Sequence, residues 1–213
     1  MKETLKAAFV LLGCTISLVS CSTAKRKGEL DLSALRGKKV ALVSTEGEPT
    51  AKSIMEVALV NQLIQQGTFI LLPKLDLEKA RSAPDIQPTD YRQIAQRAGA
   101  DYALRIKVME FEAETKKGYS TEKIYDSEIA AEQGTDGQVE RVFKTEALEG
   151  HVQFELKFTA VADSSTQSGI AEAQERVEAS EKNSAIHLPL KLRFLETLSN
   201  KAFREFFNRY NQT

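Results

Sequence analysis

The chain has 213 residues, with 29 lysines and arginines against 30 aspartates and glutamates, 42% hydrophobic residues and two cysteines. Near-neutral charge excludes a large basic face of the kind that binds nucleic acid, and two cysteines exclude a disulfide-built scaffold. The length suffices for one packed domain.

The first element in chain order is short and apolar. Lys2 and Lys6 precede residues 7–19, an uncharged and largely apolar run. A membrane-spanning helix needs about 20 such residues; a basic start followed by a shorter run is the order of a secretory signal. The run ends in Leu18-Val19-Ser20-Cys21. This resembles the bacterial lipobox, whose cysteine receives diacylglycerol and becomes the new N-terminus. Residues 1–20 are therefore expected to be removed as a signal peptide, with lipidation (palmitate-type acylation) at Cys21. Cys14 would leave with the peptide and Cys21 would become a thioether, so no disulfide can form within a mature chain. Ser22 stands where an aspartate commonly retains lipoproteins at the inner membrane, which points to the periplasmic face of the outer membrane. Residues 21–37 are read as the lipidated N-terminus and tether, with Lys25-Arg26-Lys27 as solvated charge.

Residues 38–211 are read as a single α/β domain. Residues 38–44 form a first strand, with Val40 to Val43 as its apolar run. The following Gly47 and Lys52-Ser53 superficially match a phosphate-binding loop. That loop needs four residues between two glycines and then Lys-Ser/Thr, so that backbone N–H groups wrap the phosphates. Here the spacing is one residue short and Ala51 stands in place of the second glycine. A helix over 49–66 is the better account, with Pro49 at its first position. Its apolar stripe is Ile54, Met55, Ala58, Leu59, Leu63 and Ile64, and Gly67 stops it. Residues 68–72 form a second strand, so strand, helix and strand make one parallel crossover. Helices follow at 75–82 and 88–98.

Residues 101–114 then alternate, with Tyr102, Leu104, Ile106 and Val108 on one face and Ala103, Arg105, Lys107 and Met109 on the other. One face is buried and one is wet. Residues 152–162 alternate in the same way, 163–169 have turn chemistry, and 170–180 return as a polar strand. These three are expected to be antiparallel. A helix over 189–210 carries Phe194, Leu198, Ala202, Phe206 and Tyr210 at every fourth position and seals the sheet. The predicted fold is thus a three-layer-like α/β domain. Its mixed sheet has a parallel start and antiparallel strands after, flanked by helices.

The chemistry of an active site is not evident. His151 and His187 are the two histidines, and neither sits in metal-ligand spacing. No nucleophile-elbow sequence is present. We expect no catalytic, cofactor-binding or metal-binding residues, no cofactor, and no enzyme. One segment stands out: residues 110–150 hold 11 acidic and 5 basic residues, a net charge of −6. It is expected to be an exposed acidic extension, either a mobile loop or an extended hairpin; the alternative, functional reading is an acidic arm that meets a partner.

The stretch "MEVALVNQLIQQGTFILLPKLDLEKA" resembles the helix, short strand and helix of the curli-secretion (CsgG-like) lipoproteins. "AQRAGADYALRIKVMEFE" resembles the Gly-Ala-Asp start of their central strand, and "HVQFELKFTAVADSSTQSGIAEAQERVEAS" their next hairpin, with two residues inserted in the turn. The resemblance covers about residues 38–180 and the lipobox. It implies a compact α/β domain, shared with the penicillin-binding-protein activator lipoproteins, and no enzymatic role. The expected function is a non-enzymatic outer-membrane lipoprotein that faces the periplasm and acts as an assembly or accessory protein-binding domain. The alternative is a subunit of a curli-type secretion oligomer. Expected partners are the membrane, through lipid on Cys21, and an envelope protein, with homo-oligomerisation left open and no nucleic acid.

Overall fold

The computed structural model describes residues 30–133, 136–182 and 185–211. Its elements in chain order are β1 (Lys39–Glu46), α1 (Pro49–Gln66), β2 (Ile70–Leu71), α2 (Lys74–Arg81), α3 (Tyr91–Arg97), β3 (Tyr102–Tyr125), α4 (Ser127–Gln133), β4 (Gln138–Ala160), β5 (Thr166–Ser180) and α5 (Lys191–Asn211). A 3₁₀ turn, Leu32–Leu35, precedes them. The five strands form one sheet in the order β2-β1-β3-β4-β5. β1 is parallel to β2 and β3, and the β3–β4 and β4–β5 pairs are antiparallel.

Helices lie on both faces, which gives three layers. On one face α1 and α5 cover Val40, Leu104, Ile106, Val152, Phe154, Leu156 and Phe158. On the other, α2 and α3 cover Ala41, Val43 and Ala103 through Leu77, Ala80, Ile94 and Ala95. Alternation along β1 and β3 therefore feeds two cores, large side chains to one and small to the other. α1 begins with Pro49 at its first turn and ends at Gly67, whose φ of 60° lets its N–H reach the Leu63 carbonyl at 2.8 Å.

α5 closes the larger core, as its four-residue repeat of apolar positions requires. Phe194, Leu195, Leu198, Ala202, Phe203, Phe206 and Phe207 are all buried. The Phe203 ring stacks on Phe154 with centroids 5.3 Å apart. Each such ring contributes about 1.5–3 kcal/mol by burial alone. The helix lies so close to the sheet that a Cβ on Gly150 would sit 2.7 Å from the Phe194 ring. Leu30 and the 3₁₀ turn tuck under the far end of α5, and the Asp31 N–H donates to the Gln167 side chain at 2.8 Å.

Three features differ from the sequence reading. β2 has two residues rather than five, because Pro73 ends the extended run and opens α2. β3 and β4 run far past their expected ends, pairing without a break from Glu110↔Gln153 to Tyr125↔Gln138. The segment at 110–150 is thus an ordered hairpin, closed by α4. Finally, a one-residue bulge at Met109 shifts the β3 register between Val108 and Glu110. A bulge reverses the facing of everything after it. Phe111 and Ala113 therefore pack on the larger core, while Met109 is 48% exposed.

Candidate functional site

The long hairpin is the most unusual element. Ordinary strands run 3–10 residues; β3 has 24 and β4 has 23. Ala113 and Gly150, paired across the two strands, are the last positions before the hairpin leaves the body, apart from the buried Ala147 and Leu148. From Ala113 to Tyr125 the arm projects about 40 Å at the rise of an extended strand. β5 supports it only as far as Thr145↔Ser180. Beyond that it is a two-stranded ribbon with water on both sides.

What orders so polar an arm is pairing across the strands. Lys117 lies 3.6 Å from Glu146, and Arg141 lies 2.9 Å from Asp126 at the foot of α4. Lys182 reaches Glu122 from the chain beyond β5. Exposed pairs contribute little singly, about 0–1 kcal/mol, so the backbone ladder does most of the ordering. Tyr119, Tyr125 and Val142 are 75%, 68% and 62% exposed. They share the face that also carries Lys117, Lys123 and Lys144, and the opposite face carries Glu114, Lys116, Glu122 and Arg141.

At the base of the arm, the face of β4 and β5 turned away from α5 is a polar surface. His151 sits between two carboxylates, contacting Glu110 through Nδ1 and lying 3.0 Å from Glu172 through Nε2. That hydrogen bond, with one from Gln153, holds the Glu172 carboxyl below the usual glutamate range. Nearby, Lys116 bonds Glu149 and pushes its carboxyl down, aided by Arg176 at 2.7 Å. The Lys116 ammonium is raised in turn, chiefly by the same bond. These groups neutralise one another on a solvated sheet face. Among the described residues, no group of three or more His, Cys, Asp or Glu side chains is arranged to hold a metal ion.

The residues singled out in the sequence fall in different places. Cys21 and the expected signal peptide lie outside the described residues. Lys52 and Ser53 are first-turn residues of α1, behind Glu48 and Pro49. His151 joins the carboxylate cluster on the sheet, and His187 lies in the segment before α5, apart from it. Sequence reasoning missed a second surface, at the β2 edge. Ile64, which periodicity places in the core stripe of α1, is 78% exposed, and with Val57 and Val60 it forms a separate outward stripe. The signal for it is present: no charged residue occurs from Val57 to Pro73.

No protein-family model matches the sequence, and no curated protein matches it. Several solved structures are similar. The LpoB C-terminal domain from Salmonella enterica has 16% identity over 66% of this chain and 84% of its own, with a TM-score of 0.38. Lipoprotein GNA1162 from Neisseria meningitidis has 13% identity over 81% of this chain and 99% of its own, at 0.39. The PelC dodecamer from Paraburkholderia phytofirmans has 18% identity over 81% and 89%, at 0.36. At TM-scores below 0.5 none of them assigns a residue or a role to this chain. Among the described residues, no helix is long and apolar enough to cross a membrane.

Proposed function

We propose that this chain is a non-enzymatic, lipid-anchored accessory protein of the bacterial envelope, held at the periplasmic face of the outer membrane, that presents the β3–β4 arm to a protein partner. The observation that carries this reading is the arm itself: the outer halves of strands of 24 and 23 residues project from a finished core and contribute little to it. The lipobox-like Leu18-Val19-Ser20-Cys21 supports the anchor and its address. A non-enzymatic role is supported by the state of the polar groups, since His151 is engaged by Glu110 and Glu172 rather than set beside a nucleophile. A pore-lining hairpin of a secretion oligomer needs one lipid-facing apolar side. The arm carries lysines or glutamates on both faces, which favours a protein partner over lipid.

The test is crosslinking in intact envelopes. Residues 118–145 are replaced by Asn-Gly, which leaves Lys117 and Glu146 facing each other across a two-residue turn. The shortened chain should fold and reach its normal location yet lose the crosslinked partner, and raised salt should weaken the intact complex. An unchanged crosslinking pattern would show that the arm is not the contact surface.

A further inference from the structure

The opposite edge of the sheet offers a different surface. β2 pairs with β1 only at Lys39 and Val40. β1 continues to Glu46, so over residues 42–46 no strand among those described lies against its outer edge. α1 covers one face of the sheet there and α2 the other. Between them, beyond the end of β2, is a groove of about 480 Å³ lined by Leu42, Thr45, Val60, Leu71, Leu72 and Leu77. The Arg81 guanidinium donates to the carbonyl of Val43, the bulged residue of β1. A charged side chain thus occupies an edge position that a neighbouring strand would otherwise satisfy. The wall continues outward as the aliphatic stripe of α1, with Val57 50%, Val60 40% and Ile64 78% exposed, beside Ile70 at 55%. From Val57 to Pro73 this wall carries no charge, and Glu56, Lys74, Glu78 and Arg81 line the groove beside it.

We propose that this groove takes up an extended aliphatic segment of a partner protein as an added strand beside β1. Around the Val43 bulge, whose carbonyl Arg81 holds, the edge of β1 offers backbone groups that an extended chain matches and a helix does not. The gap continues the line of β2 along β1, the place a further strand would take about 4.8 Å from β1. Side chains of the incoming strand would point alternately to the Val60 wall and the Leu77 wall. The exposed aliphatic side chains lie on the Val60 side, and the other side joins the buried Leu77 to Lys74, Glu78 and Arg81, so the segment should carry aliphatic residues at every other position. Its centre should be uncharged, because the cations and anions of the groove (Lys74, Arg81, Glu56 and Glu78) balance one another. A second copy of this chain fits poorly. Its long free edge, β5, carries Glu172, Glu175, Arg176 and Glu178, and these would be buried against aliphatic walls.

The test uses the purified full-length chain panned against a random twelve-residue peptide library, with the Val60→Glu chain for counter-selection. Val60 is half-exposed, and the fold of the variant is checked by its thermal transition. Selected peptides should share aliphatic residues at alternate positions and shift the amide resonances of residues 42–46. N-methylation of alternate backbone amides should weaken them about tenfold or more, the effect of removing two or so ladder bonds. The Arg81→Ala chain, which frees the Val43 carbonyl, should bind as well or better. Chains lacking the arm or carrying Cys21→Ala should bind unchanged, which separates this site from the arm and the anchor. The proposal is overturned by no enrichment over the counter-selection, by binding indifferent to N-methylation, or by shifts elsewhere on the fold. Self-association that buries residues 42–46 without peptide would assign the groove to a second copy instead.

Discussion

Single residues show where the fold has no slack. Gly150 is paired with Ala113 beneath α5, and a Cβ there would meet Phe194 at 2.7 Å and Leu198 at 2.8 Å. Both neighbours are buried, so the helix must move to admit a larger residue. Gly150→Val should cost about 1–3 kcal/mol, read as a fall in the urea midpoint at an unchanged slope. Glu149, one residue earlier on the opposite face, tests electrostatics instead. Its carboxyl is held low first by the bond from Lys116 and then by charge from Lys116 and Arg176. Because the folded carboxyl takes up its proton less readily than the unfolded one, the pairing stabilises the fold above the ordinary glutamate range. It is lost as pH falls through the lowered value. In Lys116→Met the Glu149 titration, followed by carbon NMR, should move up toward the ordinary range near 4.3. A midpoint that stays put would show that Arg176 alone sets it.

At the scale of elements, the arm and α5 are opposites. α5 buries one face from Phe194 to Phe207, and Phe203→Ala, which removes the ring stacked on Phe154, should cost about 3–5 kcal/mol. Replacing residues 118–145 by Asn-Gly removes more of the chain but little of the core. It forfeits the paired backbone contacts of Lys144 with Glu181 and the Lys182–Glu122 pair. The expected loss is below about 1 kcal/mol, so Tm should move by less than about 4 °C. A non-cooperative transition would show that the arm is integral to the core. The same contrast explains what could be read from the sequence. α5 declared itself because one face is dry, residues 152–158 because their second face is wet, and residues 102–108 because Leu104 and Ile106 face the larger core while Ala103 and Arg105 face the other side. Past Glu114 both faces of the arm are wet, so alternation vanishes and the strands leave no period to find. The Met109 bulge breaks the alternation where the pattern would otherwise have been followed. The β1-edge groove hid for a different reason: Val57, Val60 and Ile64 look like core in a helix whose true core stripe lies beside them.

For the molecule as a whole, the expectation that can be checked soonest is the anchor. Cys21→Ala should leave an unprocessed or buffer-soluble chain on fractionation, because the cysteine is the acceptor in the lipobox pattern; wild-type chain with a free Ser22 terminus would disprove it. The proposed anchor would also give the fold a direction. The chain enters at Asp31, bonded to Gln167 near the start of β5, beside the Phe158 end of β4. The arm leaves from the other end of the same sheet. Along β3, foot and tip are about 80 Å apart. A protein tied down by its first residues and built this way is a mast. With the proposed lipid on Cys21, its tip would stand clear of the bilayer by the length of rigid paired strands added to that of the tether. A fluorophore at Tyr125 should therefore be invisible to quenchers placed in the lipid headgroups, while one at Ser33 should feel them.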